Sequence, residues 1–133
     1  MGIDYGLKRT GLSVTDPSRI IVQGLDTQKT PDLIDFLIRY AQREVIDEFV
    51  VGYPFLDGAW GDKNFKIKLD AFIAELRKTF PVTEVKLFDE RYSSMRAREI
   101  ISQSGAKKKK RQSKEHMDKT SAIVILQEYL GHI

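Results

Sequence analysis

The chain has 133 residues, which is the length of one ordinary domain and leaves little room for a second hydrophobic core. Its residues are 41% hydrophobic and 31% charged, a composition that argues against disorder over the whole chain. There is no cysteine, which excludes disulfides, thiolate metal sites and a cysteine nucleophile. No apolar run approaches the ~18 residues of a membrane span. We therefore expect a single cytoplasmic domain over residues 1–133, without membrane contact.

The formal net charge of +3 comes from one segment of the chain. Residues 1–88 carry 12 basic and 13 acidic side chains, whereas residues 89–133 carry 10 basic and 6 acidic ones. Half of those 10 basic side chains form one uninterrupted run, Lys107, Lys108, Lys109, Lys110 and Arg111. The run predicts a loop that attracts phosphate, and a solvated connector is the alternative interpretation.

The first 26 residues predict three short antiparallel strands. Residues 1–4 form a first strand, and Leu12 and Val14 alternate with small polar residues as in a half-buried strand. A turn at residues 16–18 leads to a third strand at residues 20–22. Together they predict an antiparallel three-strand meander.

Two helices and two further strands are predicted next. Thr30 is expected to cap a helix that has Pro31 at its first position. Residues 49–51 are an apolar run typical of a buried parallel strand, and Val85 and Leu87 alternate with charged residues as in a fifth strand. Between them, after a loop at residues 57–61, a helix has an apolar stripe of Phe65, Leu69, Phe72, Ile73 and Leu76.

The last third of the chain predicts two more helices. One follows a Ser93 or Ser94 cap and stops near Gly105, and the other runs from about residue 113 to 130. The element order predicts an α/β domain with a five-stranded mixed sheet, in which the antiparallel three-strand meander is joined by two parallel strands and flanked by helices.

Three acidic residues lie where a charge is costly or where ligands bind. Asp4 lies in the expected central strand, and Glu90 follows the end of the fifth strand, where open α/β sheets bind ligands. Asp118 begins a helical stripe whose next members are apolar. Each also has an ordinary interpretation. Asp4 could be a turn aspartate, Glu90 could form an ion pair with Arg91, and Asp118 could be a favourable charge in the first turn of a helix.

If these three carboxylates converge, they predict a site for Mg²⁺ or Mn²⁺. Hard oxygen donors, without cysteine or suitably spaced histidine, select these ions over zinc. Such ions support hydrolysis of a phosphodiester, which is nuclease chemistry. His116 and His132 are expected to face solvent, and Trp60 and Tyr92 are more readily explained as packing residues than as base-stacking ones.

Four sequence motifs, in order, resemble those of the YqgF family. They are the segment from Gly2 to Asp16, which contains G-I-D-Y-G-L-K-R-T-G, followed by V-V-G-Y-P at residues 50–54, D-E-R-Y-S-S at residues 89–94, and the segment from Asp118 to Leu130. Proteins of this family are similar to RuvC-type Holliday junction resolvases with an RNase H-like fold, and bacterial members are described as nucleases of pre-16S rRNA. The resemblance covers essentially the whole chain.

The resemblance implies an acidic triad of Asp4, Glu90 and Asp118 that binds a divalent metal. It also implies that Lys8, Arg9 and Arg91, which match basic positions of the motifs, hold phosphate. The choice between Asp89 and Glu90 as metal ligand stays open, since adjacent residues of an extended strand point to opposite sides.

The expected function is endonuclease processing of the 5′ end of pre-16S rRNA during ribosome biogenesis. One alternative is Holliday junction resolution in DNA recombination and repair, and another is a catalytically weak nucleic-acid-binding module in transcription or ribosome assembly. The expected partner is structured RNA or branched DNA, and the expected oligomeric state is a monomer or weak homodimer. The Asp4-x-Gly6 motif also resembles the phosphate loop of actin-like ATPases, but those proteins need two such domains, which this length excludes.

Overall fold

The computed structural model describes residues 1–53, 63–89 and 114–132, and the side chains of residues 114–119 lie outside this description. The predicted loop at residues 57–61, the helix predicted after Ser93 and the basic run therefore lie outside the described residues. The elements in chain order are β1 (Gly2–Asp4), β2 (Arg9–Thr15), β3 (Val22–Gly24), β4 (Gln28–Lys29), a 3₁₀ turn (Thr30–Asp32), α1 (Leu33–Ala41), β5 (Glu48–Tyr53), α2 (Lys63–Thr79), β6 (Glu84–Asp89) and α3 (Lys114–Tyr129).

One mixed sheet organises these elements. Its strands lie in the order β3-β2-β1-β5-β6, and the short β4 pairs with β2. Antiparallel pairing joins β1 to β2 and β2 to β3, whereas β1, β5 and β6 are parallel. The predicted meander with two added parallel strands is confirmed, with β1 at its centre. The additional strand, β4, is two polar residues long, so no hydrophobic alternation marked it in the sequence.

Helices α1 and α2 cover one face of the sheet, which we call the two-helix face. Side chains of a strand alternate between faces, and Ile3, Leu12, Phe49 and Val51 all point to this side. There they meet buried side chains of both helices, namely Leu33, Leu37, Leu69, Phe72, Ile73 and Leu76. Full burial of a side chain of this size contributes roughly 1.5–3 kcal/mol, so this layer contributes substantially to stability.

Helix α3 covers the opposite face, which we call the α3 face. Val50 packs there against Ile125 and Leu126. Ser13 Oγ, which is buried, donates a hydrogen bond of 2.7 Å to the Ala122 carbonyl oxygen. The neighbouring residue across the sheet is Gly2, where a Cβ atom would collide with Ser13 Oγ and lie 3.0 Å from that same carbonyl. Small residues on two paired strands thus let the helix lie directly on the sheet.

The third strand starts later than its apolar sequence predicts. The strand begins at Val22, and Ile20 and Ile21 are 71% and 64% exposed. Asp16 Oδ1 accepts hydrogen bonds from the backbone N–H groups of both isoleucines, each at 2.8 Å. This carboxylate holds residues 16–21 as a turn, because it takes the donors that a strand ladder would use.

Thr30 does not cap a helix, contrary to the expectation from its sequence. The chain first forms the 3₁₀ turn, whose N-cap residue is Lys29 without a side-chain hydrogen bond. The Thr30 hydroxyl instead donates to the Gly6 carbonyl oxygen at 2.6 Å. A tertiary partner has replaced the local one.

Within the described residues, no helix combines the length and apolar character needed to cross a membrane.

Candidate functional site

The three parallel strands end at one edge of the sheet, which we call the carboxyl edge. Their last residues are Asp4 in β1, Tyr53 in β5 and Asp89 in β6. Tyr53 and Asp89 are directly paired across the sheet, and Asp4 pairs with Gly11 on the other side. Carboxyl ends of parallel strands are where α/β sheets bind ligands. The first strand therefore brings Asp4 to this edge, and β6 brings the start of the D-E-R-Y-S-S motif, Asp89, to the same edge.

Asp4 and Asp89 lie on opposite faces of the sheet. Asp4 is half-buried and shares the α3 face with Gly2, since the intervening Ile3 points to the two-helix face. In β6, Val85 lies in the core of the two-helix face with Leu87 packed against it, and Asp89 continues that alternation. The carboxylates of Asp4 and Asp89 thus leave the sheet in opposite directions.

Helix α3 runs from the carboxyl edge toward the opposite edge. Near its end, Tyr129 Oη donates a 3.2 Å hydrogen bond to Glu48 Oε2, and Glu48 is the first residue of β5. Its middle lies over the sheet, where the Ala122 carbonyl accepts from Ser13. Asp118 precedes Ala122 by about one helical turn, or ~6 Å along the axis. The backbone therefore carries Asp118 toward the edge at which Asp4 lies, and its side chain is among those not described.

Two of the predicted phosphate-binding residues lie beside Asp4. Lys8 is exposed in the turn between β1 and β2, and Arg9 opens β2 on the α3 face, since it alternates with Gly11 and Ser13. Within the described part of the chain, the buried Arg9 Nε has no hydrogen-bond partner. An arginine donor and a solvent-facing lysine thus accompany the carboxylate at this edge.

A polar cluster at the end of β5 was not singled out from the sequence. Tyr53 Oη donates to Asp70 Oδ1 at 2.9 Å, and Lys66 Nζ donates to Asp70 Oδ2 at 2.8 Å. The hydrogen bond from Lys66 holds the pKa of Asp70 below its ordinary value, and desolvation raises the pKa of Tyr53. The cluster fastens α2 to the carboxyl edge. The Lys66 and Asp70 pair was visible as an i,i+4 spacing, whereas the link to Tyr53 was not.

The remaining predicted site residues lie outside the described side chains. They are Glu90, Arg91, Lys107, Lys108, Lys109, Lys110, Arg111 and Asp118, together with Trp60, Tyr92 and His116. Among the side chains that the structure does describe, no three histidine, aspartate or glutamate residues are grouped so as to hold a metal ion. His132 is exposed, as predicted, with Nε2 at 3.0 Å from the Arg19 carbonyl oxygen.

Comparison with known proteins identifies the family. The sequence profile described as "RuvX: Holliday junction resolvase" matches residues 1–132, which is nearly the whole chain. The chain belongs to the RuvX family. The resemblance seen in the four motifs is thereby confirmed, because RuvX and YqgF denote the same family. The mixed sheet with β1 at its centre is consistent with the RNase H-like fold that the resemblance implied.

Curated relatives match this chain over more than nine-tenths of their own length. A protein of Amoebophilus asiaticus is 46% identical over 98% of this chain and 92% of its own length. Proteins of Porphyromonas gingivalis and Chlorobaculum tepidum are each 41% identical, over 99% and 98% of this chain and 95% and 91% of their own lengths. All three are named "Putative pre-16S rRNA nuclease". In this RuvX chain, Asp4, Lys8 and Arg9 lie at the carboxyl edge, where the parallel strands of the sheet end.

Proposed function

We propose that this protein is a metal-dependent endonuclease that cleaves structured RNA, and that its substrate is the 5′ end of pre-16S rRNA. The observation that carries the proposal is Asp4, a half-buried carboxylate at the end of the central strand in a chain whose relatives are named as nucleases of that RNA. On this proposal the whole chain is one nuclease domain, and it acts in the cytoplasm on nascent ribosomal RNA.

A divalent metal fits the donors at this edge. The chain offers carboxylate oxygens and no cysteine, a donor set that suits Mg²⁺ or Mn²⁺ rather than zinc. Asp4, Glu90 and Asp118 would hold the ion. Such an ion supplies Lewis acidity toward a phosphodiester and lowers the pKa of water. The protein's own contribution on this proposal is to bring these carboxylates close to one another.

Glu90, rather than Asp89, is the second carboxylate of this proposal. Asp89 lies on the two-helix face, away from Asp4, so its carboxylate cannot join that of Asp4 without leaving the strand alternation. The next residue of an extended chain points to the other face. This geometry favours Glu90 over Asp89 as the metal ligand, a choice that the sequence left open.

Asp118 is the proposed third carboxylate, from α3. The direction of the helix supports this role, because its backbone carries Asp118 toward the carboxyl edge on the same face as Asp4.

Phosphate is held by the cations around this edge. Lys8 and Arg9 follow Asp4 in the sequence, in and after the turn that leaves β1, and lie at the same end of the sheet. We include Arg91 and the run from Lys107 to Arg111 in this phosphate-binding group, as the motifs and the charge distribution predict. The protein acts as a monomer or weak homodimer on this substrate.

Branched DNA is the second candidate substrate, favoured by the family description, which names Holliday junction resolvase. Symmetric cleavage of a four-way junction needs two active sites and therefore a dimer. RNA and DNA would be distinguished by contacts to the 2′-hydroxyl. Cleavage of both substrates should be assayed side by side.

The proposal predicts which carboxylates are needed for cleavage. Asp4→Asn, Glu90→Gln and Asp118→Asn should each lower the rate at least ~100-fold with Mg²⁺ or Mn²⁺, because loss of an outer-shell partner alone costs ~10–100-fold. The measurement is single-turnover cleavage of a pre-16S rRNA fragment that contains the mature 5′ end.

Two matched substitutions serve as controls. Asp89→Asn removes the carboxylate that precedes Glu90 and lies on the two-helix face, away from Asp4. Asp47→Asn removes an exposed carboxylate just before β5, at the edge of the sheet opposite the carboxyl edge. Both should keep the rate within about 3-fold of the wild type. Cleavage that persists in Asp4→Asn, or a loss in Asp89→Asn as large as in Glu90→Gln, would reject this assignment. Binding of the RNA without cleavage by the wild type would favour the binding-module alternative.

A further inference from the structure

The turn between β1 and β2 is closed by two hydroxyl groups from distant parts of the chain. Thr10 Oγ1 and Thr30 Oγ1 are 2.9 Å apart, and Thr10 is fully buried. Thr30 Oγ1 donates to the Gly6 carbonyl oxygen at 2.6 Å, and the Gly6 N–H donates to Thr10 Oγ1 at 3.5 Å. Both peptide groups of Gly6 are thereby bonded to threonine hydroxyls.

The direction of these hydrogen bonds follows from their fixed ends. A peptide N–H only donates and a carbonyl oxygen only accepts, so the hydroxyl of Thr30 must use its proton on Gly6. The proton between the two threonines then belongs to Thr10, which donates to Thr30. The result is a closed ring of three hydrogen bonds in which each hydroxyl donates once and accepts once. Bonds in such a chain polarise and strengthen one another.

Further contacts hold the same turn. The backbone N–H of Thr30 donates to the Lys8 carbonyl oxygen at 3.0 Å. Gly6 is packed so closely that a Cβ atom there would collide with the Arg9 carbonyl oxygen. Asp4 lies before this turn and is held separately, since it pairs with Gly11 in the β1–β2 ladder. The threonine ring therefore fixes the position of Lys8 and Arg9 relative to Asp4.

We propose that Thr10 and Thr30 are positioning residues that hold Lys8 and Arg9 in place for substrate phosphates. This inference rests on the proposed function for the roles of Lys8 and Arg9. Thr10 has no exposed surface, so it acts through the turn and not by touching substrate. Because Asp4 is held by the sheet ladder, loosening the turn weakens substrate binding and leaves the chemical step largely intact.

Substitution of each threonine by valine tests the inference. Valine keeps the shape and cannot donate to Gly6 or to the other threonine. Thr30→Val and Thr10→Val should each raise KM for the pre-16S rRNA fragment about 10-fold and change kcat less than about 3-fold. The slope of log affinity against log salt should become shallower by up to ~1.4–1.8 for the two cations, since each phosphate contact contributes ~0.7–0.9, depending on strand state. Thr30→Ser and Thr10→Ser, which retain the hydroxyls, should restore KM.

A stability-matched control separates positioning from a general loss of structure. Ile73→Val removes a methyl group from the two-helix face, far from the turn, and should lower Tm without changing KM or the salt dependence. Equal increases in KM in Ile73→Val and Thr30→Val would overturn the inference. So would valine variants with unchanged KM, or serine variants that do not recover.

Equilibrium binding to the fluorescently labelled RNA fragment, without divalent ions, keeps the two proposals distinguishable. Wild-type protein that binds the RNA in this assay but does not cleave it after Mg²⁺ or Mn²⁺ is added rejects the nuclease proposal, while weaker binding by Thr30→Val still supports the positioning role. Wild-type protein that cleaves, with an unaffected Thr30→Val variant, rejects the positioning role alone. If the fully buried Thr10→Val variant fails to fold, Thr30→Val alone decides, because Thr30 is only partly buried and its substitution still removes the hydrogen bond to the Gly6 carbonyl oxygen.

Discussion

Ile3 determines which face of the sheet carries the Asp4 carboxylate. Ile3 is fully buried among the apolar side chains of the two-helix face, so its neighbour in β1 must point the other way. A slip of one residue in the register of β1 would turn the Asp4 carboxylate toward Leu12 and Phe49 in the core. A charge buried there without a partner would cost ~3–5 kcal/mol. The position of the proposed catalytic group is thus a consequence of core packing.

The Tyr53, Asp70 and Lys66 cluster makes stability depend on pH. The hydrogen bond from Lys66 lowers the pKa of Asp70 in the folded protein. The ionised carboxylate therefore stabilises the fold fully at pH values above 3.8, which is the ordinary pKa of the group. That contribution is lost as the pH falls from this value through the lowered pKa of the folded state. Asp70→Asn should therefore be less stable than wild type at neutral pH, and the difference should shrink in acid. Urea unfolding between neutral and acidic pH measures it.

The expected effect of Asp70→Asn is small, because Lys66 and Asp70 are both nearly half exposed and solvent screens their attraction. Tyr53→Phe is a matched variant that removes one hydrogen bond from the same carboxylate and leaves Lys66 in place. It should reproduce part of the effect. A difference between wild type and Asp70→Asn that is independent of pH would contradict the assignment.

Helix α3 depends on the small side chains beneath it. Gly2 and Ser13 are paired neighbours in β1 and β2, and both lie directly under Ala122. A larger side chain at either position would lift the helix from the sheet. Since the same helix carries Asp118, the fit between these residues also governs where the proposed third carboxylate is held.

A double-mutant cycle measures this fit. Gly2→Ala should cost ~1–3 kcal/mol of the free energy of unfolding, because the new Cβ collides with Ser13 Oγ. Ser13→Ala should cost ~0.5–1.5 kcal/mol through loss of the hydrogen bond to Ala122. The double variant should be destabilised by at least ~0.5 kcal/mol less than the sum, since the second change removes the atom with which the first collides. Urea unfolding of the four proteins provides the values.

Additivity at a distant pair is the control for that cycle. Ser13→Ala and Ile73→Val lie on opposite faces of the sheet, so their effects on the free energy of unfolding should add. If the effects of Gly2→Ala and Ser13→Ala also simply add, the two residues do not share the space under α3.

Across the whole molecule, charge is unevenly distributed along the chain. Residues 1–88 are nearly neutral overall, and the excess of basic groups lies in residues 89–133. Association with nucleic acid must therefore come from local groups of cations, because the net charge of +3 gives only a weak long-range field. The run from Lys107 to Arg111 is the largest such group in the sequence.

Neutralising that run should change how salt affects binding. Five phosphate contacts contribute roughly −3.5 to −4.5 to the slope of log affinity against log salt, depending on strand state. Replacing Lys107, Lys108, Lys109, Lys110 and Arg111 by glutamine should remove most of this contribution to the slope and weaken binding at low salt. Fluorescence anisotropy with the labelled RNA fragment, over a range of salt concentrations, measures it.

Arg77 and Lys78 supply the control for the salt experiment. They are exposed cations in the last turn of α2, which precedes the start of β6 and lies at the edge opposite Asp4. Replacing both by glutamine should leave the slope within ~0.3 of the wild-type value, well under one phosphate contact. An unchanged slope after loss of the basic run would exclude that run from the binding surface.

Much of this fold could be predicted from local sequence. Alternation in residues 85–88 and the apolar stripe of residues 65–76 depend on neighbours one to four positions apart, so β6 and α2 were found with small errors at their ends. The apolar run at residues 20–22 misled, because one carboxylate at Asp16 outweighs strand propensity there. Local patterns fail where a single polar side chain competes for the backbone.

By itself, the sequence predicted the order of the described elements apart from β4, the central position of β1, the family, and the set of candidate carboxylates and cations. Only the tertiary structure decided that Asp4 and Asp89 lie on opposite faces, and that Thr30 bonds to Gly6 instead of capping a helix. The reason is physical. Periodicity encodes which side of an element is apolar, whereas the partner of a polar group depends on which distant segments the packed sheet brings within about 3 Å.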